Sequence, residues 1–227
     1  MLSGNGEGMD NLLVSGADSA PLRVLLAHGA GAGMDSPFME AMALGLAENG
    51  WQVLRFEFPY MQRQRSSGKK RPPDKAEVLL TSFREQVEAL VQDKPLVIGG
   101  KSMGGRMASL LADALLDEQA IQACICLGYP FHPLGKPDRL RTEHLAGLRT
   151  PTLIVQGERD AMGRHDEVSH YPLSEQLQLA WMPDGDHSFK PRKSSGHSES
   201  TNWALAVRAM DQFLTKLLSS TERTQQA

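Results

Sequence analysis

Lys94-Pro-Leu-Val-Ile-Gly-Gly-Lys-Ser-Met-Gly-Gly-Arg-Met-Ala-Ser-Leu-Leu111 decides how the rest of the chain is read. Its apolar run, Leu96-Val97-Ile98, is short and partly β-branched, as in a buried strand. Beyond Gly104-Gly105, apolar residues recur at Met107, Leu110, Leu111, Ala114 and Leu115, the spacing of one helical face. Ser102 is thereby placed on a turn between strand and helix. Gly100-Lys101-Ser102-Met103-Gly104 matches the Gly-x-Ser-x-Gly nucleophile elbow, in which flanking glycines let a tight turn hold a serine hydroxyl clear of a sheet. A five-residue pattern can arise by chance; its weight here comes from the strand before it and the amphipathic helix after it. Lys101, inside the elbow, reads as an exposed stem.

Upstream, Leu22–Ala27 is the first convincing strand. It runs into His28-Gly29-Ala30-Gly31-Ala32-Gly33, whose small residues permit close backbone approach and leave amide N–H groups free to point into a cleft. Met34–Glu48 reads as a helix, with Phe38, Met42 and Leu46 on one face and Asn49-Gly50 as its stop. Gln52–Phe56 is a second strand. Met61–Lys75 sets Arg63, Arg65, Lys69, Lys70, Arg71 and Lys75 against Asp74. It reads as a solvated, mobile loop, with attraction of an anionic substrate as the alternative. Ala76–Gln92 is the next helix. Residues 1–21 are polar and Gly-rich, a flexible lead-in with Asn11–Val14 as at most an edge strand.

Downstream, Ala123–Leu127 is a strand and Gly128–Pro133 a loop in which Tyr129 and Phe131 are candidate pocket walls. Only about two dozen residues precede the next strand, Thr152–Gln156, which leaves no room for a sizeable cap domain. Gln178–Met182 is the last strand. Ser200–Leu218 is a closing helix with Trp203, Val207, Met210, Leu214 and Leu217 on one stripe, followed by a polar tail over 219–227. Strands alternating with helices predict an α/β fold with a mostly parallel sheet and one domain over 22–218.

A serine hydroxyl is a weak nucleophile at neutral pH. It needs a base beside it, and the base needs a partner that fixes its tautomer. His187, in a turn just past the last strand, is the candidate base. Asp160, just past the Thr152–Gln156 strand, is the candidate partner, with Glu158 as its main rival and Asp186 as a weaker one. The order Ser102, Asp160, His187 is the one associated with α/β-hydrolases. His28 reads as structural, and His132, His144, His165, His170 and His197 as surface-loop residues. No His pair stands at i, i+4 with an adjacent acid, so no metal site is expected.

Taken together, His28-Gly29, the Ser102 elbow, Gly157-x-x-Asp160 and Asp186-His187 resemble the α/β-hydrolase superfamily over residues 22–218. Small size and the missing cap look most like the dienelactone-hydrolase-like bacterial branch, although dienelactone hydrolases proper use a cysteine where this chain has Ser102. The resemblance implies a cofactor-free serine hydrolase acting on a small ester or thioester. Ser102 would be nucleophile, His187 general base and then acid, and Asp160 the orienting carboxylate. The backbone amides of Ala30 and Met103 would form the oxyanion hole. A binding or scaffold protein that keeps the fold without turnover is the competing class.

The chain has 227 residues, enough for one large core, and a net charge of −3, which gives no reason to expect nucleic acid or an anionic membrane as partner. The N-terminal residues 1–8 lack the basic and apolar regions of a secretory signal, and no run reaches transmembrane length, so a cytoplasmic protein with a small-molecule acyl substrate is expected. Cys124 and Cys126, two apart in an apolar strand, read as buried free thiols. Nothing in the sequence fixes the oligomeric state.

Overall fold

A computed structural model describes residues 12–91 and 94–225. In chain order the strands are β1 (Leu13–Ser15), β2 (Arg23–Ala27), β3 (Gln52–Phe56), β4 (Leu96–Lys101), β5 (Ala123–Leu127), β6 (Thr152–Gly157) and β7 (Leu177–Met182). The helices are α1 (Pro37–Glu48), α2 (Pro59–Ser67), α3 (Ala76–Leu90), α4 (Met103–Asp117), α5 (Glu143–Ala146), α6 (His165–Val168) and α7 (Glu199–Gln225).

The strands form one sheet in the order β1-β3-β2-β4-β5-β6-β7. Only β1 runs antiparallel, pairing Leu13 with Arg55 at the edge of β3. Side chains alternate between the two faces along each strand, and each face has its own core. Leu25, Ala27, Ile98, Cys124, Cys126 and Ile154 pack beneath α3 and α4. Val24, Leu26, Val97, Ile125, Leu153 and Val155 pack beneath α1 and α7. Cys124 and Cys126 are buried free thiols, as their spacing predicts. Burying each such aliphatic side chain is worth about 1.5–3 kcal/mol, so the two cores together clamp the sheet between its helices. The chain leaves β2 toward β3 on one side and returns to β4 on the other. A crevice therefore opens at the carboxyl ends of β2 and β4, where the order reverses.

Three elements depart from the sequence reading. The basic stretch is not a loop throughout. Pro59 begins a helix at its first position, α2 buries Tyr60 and Met61, and Gly68 ends it in the left-handed region (φ 65°). With only those two residues turned inward, the stretch carries no apolar period to announce a helix. The edge-strand option for Asn11–Val14 is taken up by β1 at Leu13–Ser15, and Asn11 lies outside the described residues. The polar tail over 219–227 is helical through Gln225, since α7 carries on past its apolar stripe, with Ser219 and Ser220 hydroxyls donating to the carbonyls of Thr215 and Lys216. The rest of that tail, 226–227, lies outside the described residues, as do Gln92 and the stretch 1–8.

Candidate active site

The link from β4 to α4 is a single residue. Ser102 takes φ 51° and ψ −111°, a conformation costly for any residue with a Cβ, of order 1–3 kcal/mol. Its amide donates to Leu127 O at 2.9 Å, which ties the turn to β5. The neighbouring glycine at 104 serves close approach rather than an unusual φ: a Cβ there would lie 2.5 Å from Ala27 O and 2.7 Å from His28 O. Gly104 thus lets the first turn of α4 press onto the end of β2, beside the His28–Gly33 loop.

Three side chains converge above this edge. His187 Nε2 lies 2.8 Å from Ser102 Oγ, and His187 Nδ1 lies 2.7 Å from Asp160 Oδ2. Asp160 is fully buried. Its carboxylate also accepts from Gln156 Nε2 (2.9 Å, Oδ2) and from the Met162 amide (2.9 Å, Oδ1), so both oxygens are fixed. With an ionised carboxylate on Nδ1, the neutral ring carries its proton there and presents Nε2 as an acceptor to the serine hydroxyl. The rival acids are occupied elsewhere. Glu158 accepts from the Asp184 amide, and Asp186 accepts from the amides of Ser188 and Lys190, which shapes the turn carrying His187.

That turn is held from three sides. Asn202 on α7 donates to Pro183 O and Phe189 O, and Trp203 Nε1 donates to Ser188 O at 3.1 Å. Lys101 supplies the third hold and corrects its reading as an exposed stem. It is buried, its Nζ donates to His187 O, and it sits 5.3 Å from the Phe38 ring centroid. Burial draws its pKa down to about 8, against the opposing pull of Asp160 and Asp186.

The His28–Gly33 loop is fixed by its first residue and by a tyrosine. His28 is fully buried and donates from Nδ1 to Gly29 O (2.6 Å) while Nε2 accepts the Phe58 amide (3.1 Å). Burial holds its pKa below the ordinary histidine value, in keeping with a neutral ring. Tyr60 Oη donates to Ala30 O (3.1 Å). Among the described residues, the amides of Ala30 and Met103 donate to no protein acceptor, and both residues line the cleft above Ser102. Met103 is the first residue of α4, so its N–H belongs to the unpaired first turn of a helix.

The cleft is about 620 Å³ and open, and its walls include Ala32, Phe38, Met103, Pro130, Met162 and Ser188. Tyr129 and Phe131, expected as pocket walls, are instead fully buried in the α3/α4 core and do not line it. The Phe131 amide donates to Tyr129 O (3.1 Å), a tight turn whose middle residue, Pro130, meets the cleft. Two histidines expected on surface loops are also inside. His132 is buried with Nδ1 donating to Pro133 O, and half-buried His144 has Nε2 at 2.9 Å from Ser109 Oγ and a pKa drawn by burial to about 4. His165, His170 and His197 are exposed. Sequence reading passed over Arg106 and Arg141, which also line the cleft. Arg106 stands one helical turn beyond Ser102, a position the elbow itself specifies; Arg141 arrives from a loop with no pattern to mark it.

A family model for the alpha/beta hydrolase domain matches residues 20–215. The chain belongs to the α/β-hydrolase family. Solved structures of similar shape include a dienelactone hydrolase from Anabaena variabilis (TM-score 0.68, 20% identity, 90% of each chain covered). Est1E from Butyrivibrio proteoclasticus is another (TM-score 0.64, 16% identity, 92% of this chain and 94% of that one). A soluble variant of the Saccharomyces cerevisiae monoglyceride lipase is a third (TM-score 0.66, 15% identity, 91% and 90%). At these identities the likeness is one of fold. The α/β-hydrolase chain has no large cap, and among its described residues no helix is long and apolar enough to cross a membrane.

Proposed function

We propose that the protein is a serine hydrolase that cleaves a small ester or thioester through an acyl-enzyme on Ser102. The observation that carries this reading is the unbroken relay from Asp160 Oδ2 to His187 to Ser102 Oγ, with spacings of 2.7 and 2.8 Å, at the floor of an open cleft. Ser102 Oγ attacks the acyl carbon while His187 Nε2 takes its proton, and Asp160 steadies the resulting imidazolium. The amides of Met103 and Ala30 receive the oxyanion, each donor being worth about 2.7–4 kcal/mol of transition-state stabilisation. His187 then returns the proton to the departing alcohol or thiol. Water repeats the sequence on the acyl-enzyme and frees the acid.

The test is a panel of p-nitrophenyl esters and acyl thioesters, varied in acyl length and charge, run on wild type and on Ser102→Ala. Turnover of at least one substrate class, lost by about 10⁴-fold or more in Ser102→Ala, is the expected result. A wild-type protein that is folded yet inert toward the whole panel, or a Ser102→Ala variant that keeps its rate, contradicts it. The first outcome would favour the scaffold reading.

A further inference from the structure

The cleft holds two guanidinium groups, those of Arg106 and Arg141, and among the described residues neither makes a side-chain hydrogen bond or an ion pair. Arg106 Nε is buried with no acceptor. Unmet buried donors of this kind are costly, and a charged one more so. Both positions are nevertheless built. The Arg106 amide donates to Ser102 O (2.9 Å), which fixes it one turn along α4 from the elbow. Arg141 is held through its backbone: its amide donates to Phe131 O at 2.7 Å, and its carbonyl accepts Tyr129 Oη at 2.9 Å. The two aromatic residues that miss the cleft thus anchor the one that reaches it. Burial lowers the Arg141 pKa, and the like charge of Arg106 pushes the same way. Two unpaired cations in the lining of one cleft are stabilised when an anion joins them.

The basic stretch beyond β3 offers no such capacity at the cleft. Arg65 is engaged by Glu57 (2.6 Å) and Asp35 (2.9 Å), Arg63 by Asp74 (2.5 Å), and none of that stretch lines the cleft.

We propose that Arg106 and Arg141 form an anion subsite beside Ser102, so that the preferred acyl substrate carries a carboxylate or a phosphate. The proposal rests on the hydrolytic reading of Ser102 and adds the chemical class of what that serine attacks.

Two matched pairs test it. Mono-p-nitrophenyl glutarate and p-nitrophenyl hexanoate differ by a carboxylate against an ethyl at the end of the acyl chain. S-hexanoyl-4′-phosphopantetheine and S-hexanoylpantetheine differ by one phosphate on the leaving thiol. Wild type should favour the anionic member of at least one pair by about tenfold or more in kcat/KM, and which pair responds says whether the anion sits on the acyl or the leaving side. Arg106→Met and Arg141→Met, checked by thermal melting for an intact fold, should each collapse that preference, chiefly through KM. Arg106→Lys should restore part of it, and 0.5 M NaCl should shrink it. Neutral members favoured in both pairs, or a preference unchanged in both methionine variants, would overturn the subsite. Should wild type turn over none of the four, fluorophosphonate labelling of Ser102 judges the hydrolytic reading separately. Calorimetric binding of glutarate and of coenzyme A to Ser102→Ala then decides the subsite: binding lost in Ser102→Ala/Arg106→Met supports it, and no arginine-dependent binding overturns it.

Discussion

The two sides of the cleft hold polar groups in opposite ways. On the Asp160–His187 side the reacting groups are matched within the protein: Asp160 takes three hydrogen bonds, and the His187 turn is clasped by Lys101, Asn202 and Trp203. On the Arg106–Arg141 side the backbone is pinned while the guanidinium groups are left unmatched. The difference separates chemistry from selection. A base must be aimed before substrate arrives, because misaiming by an ångström is costly in rate. A recognition group is most useful when its bonding capacity is still open.

The largest expected effect comes from disturbing the matched side. Asp160→Asn puts an amide where Oδ2 now faces both His187 Nδ1 and Gln156 Nε2, so one donor meets another and the imidazole is driven to the wrong tautomer. Steady-state assays should show kcat/KM reduced about 10³–10⁴-fold with the fold intact by circular dichroism. A loss below about tenfold would mean that Asp160 does not orient the base.

A second way to sharpen the contrast is to crowd the elbow. In Gly104→Ala the new methyl would lie 2.5 Å from Ala27 O, a backbone atom that cannot swing aside. Denaturant titration should record a stability loss of about 1–3 kcal/mol.

Lys101 is tested by its pH signature. Its pKa is about 8 in the folded protein against 10.5 for an ordinary lysine, so between those values the unfolded chain binds more protons and stability from this group rises with pH. Below about pH 8 the full cost of burying the charge is present, on the order of 3 kcal/mol at 1.36 kcal/mol per pH unit. Lys101→Met should therefore flatten the wild-type rise in stability between pH 8 and 10.5, measured by denaturant titration across that range. An unchanged slope would place its titration elsewhere.

The smallest effect is expected on the basic stretch. Arg63→Gln should change the preference between the anionic and neutral ester by less than about twofold, since Arg63 already faces Asp74 and lies outside the cleft. A change as large as that of Arg106→Met would move the anion-binding role to α2.

Most of the framework was legible because it is periodic. Gln52–Phe56 and Ala123–Leu127 form strands at the predicted residues, and β2, β4, β6, β7, α1 and α3 fall within a few residues of theirs. Ser102, Asp160 and His187 were legible because each follows a strand end, and a parallel sheet gathers those ends at one edge. What escaped depends on the direction of side chains in loops and on long flexible stems. Lys101 closes an apolar strand and reads as solvated, yet a carbonyl 86 residues later draws it inward. Tyr129 and Phe131 carry the composition of pocket walls, but the tight turn between them hands the cleft to Pro130. His132 finds its acceptor in the neighbouring Pro133 O and His144 in Ser109 Oγ, 35 residues away, which no spacing rule foretells.

The most direct measurement is peptide-level mass spectrometry of the folded protein after reaction with a fluorophosphonate. One adduct per chain on the peptide holding Ser102, formed slowly or not at all in His187→Ala, is the expected result. Unmodified Ser102 in folded protein, or an adduct that forms equally fast without the imidazole of His187, would contradict the account.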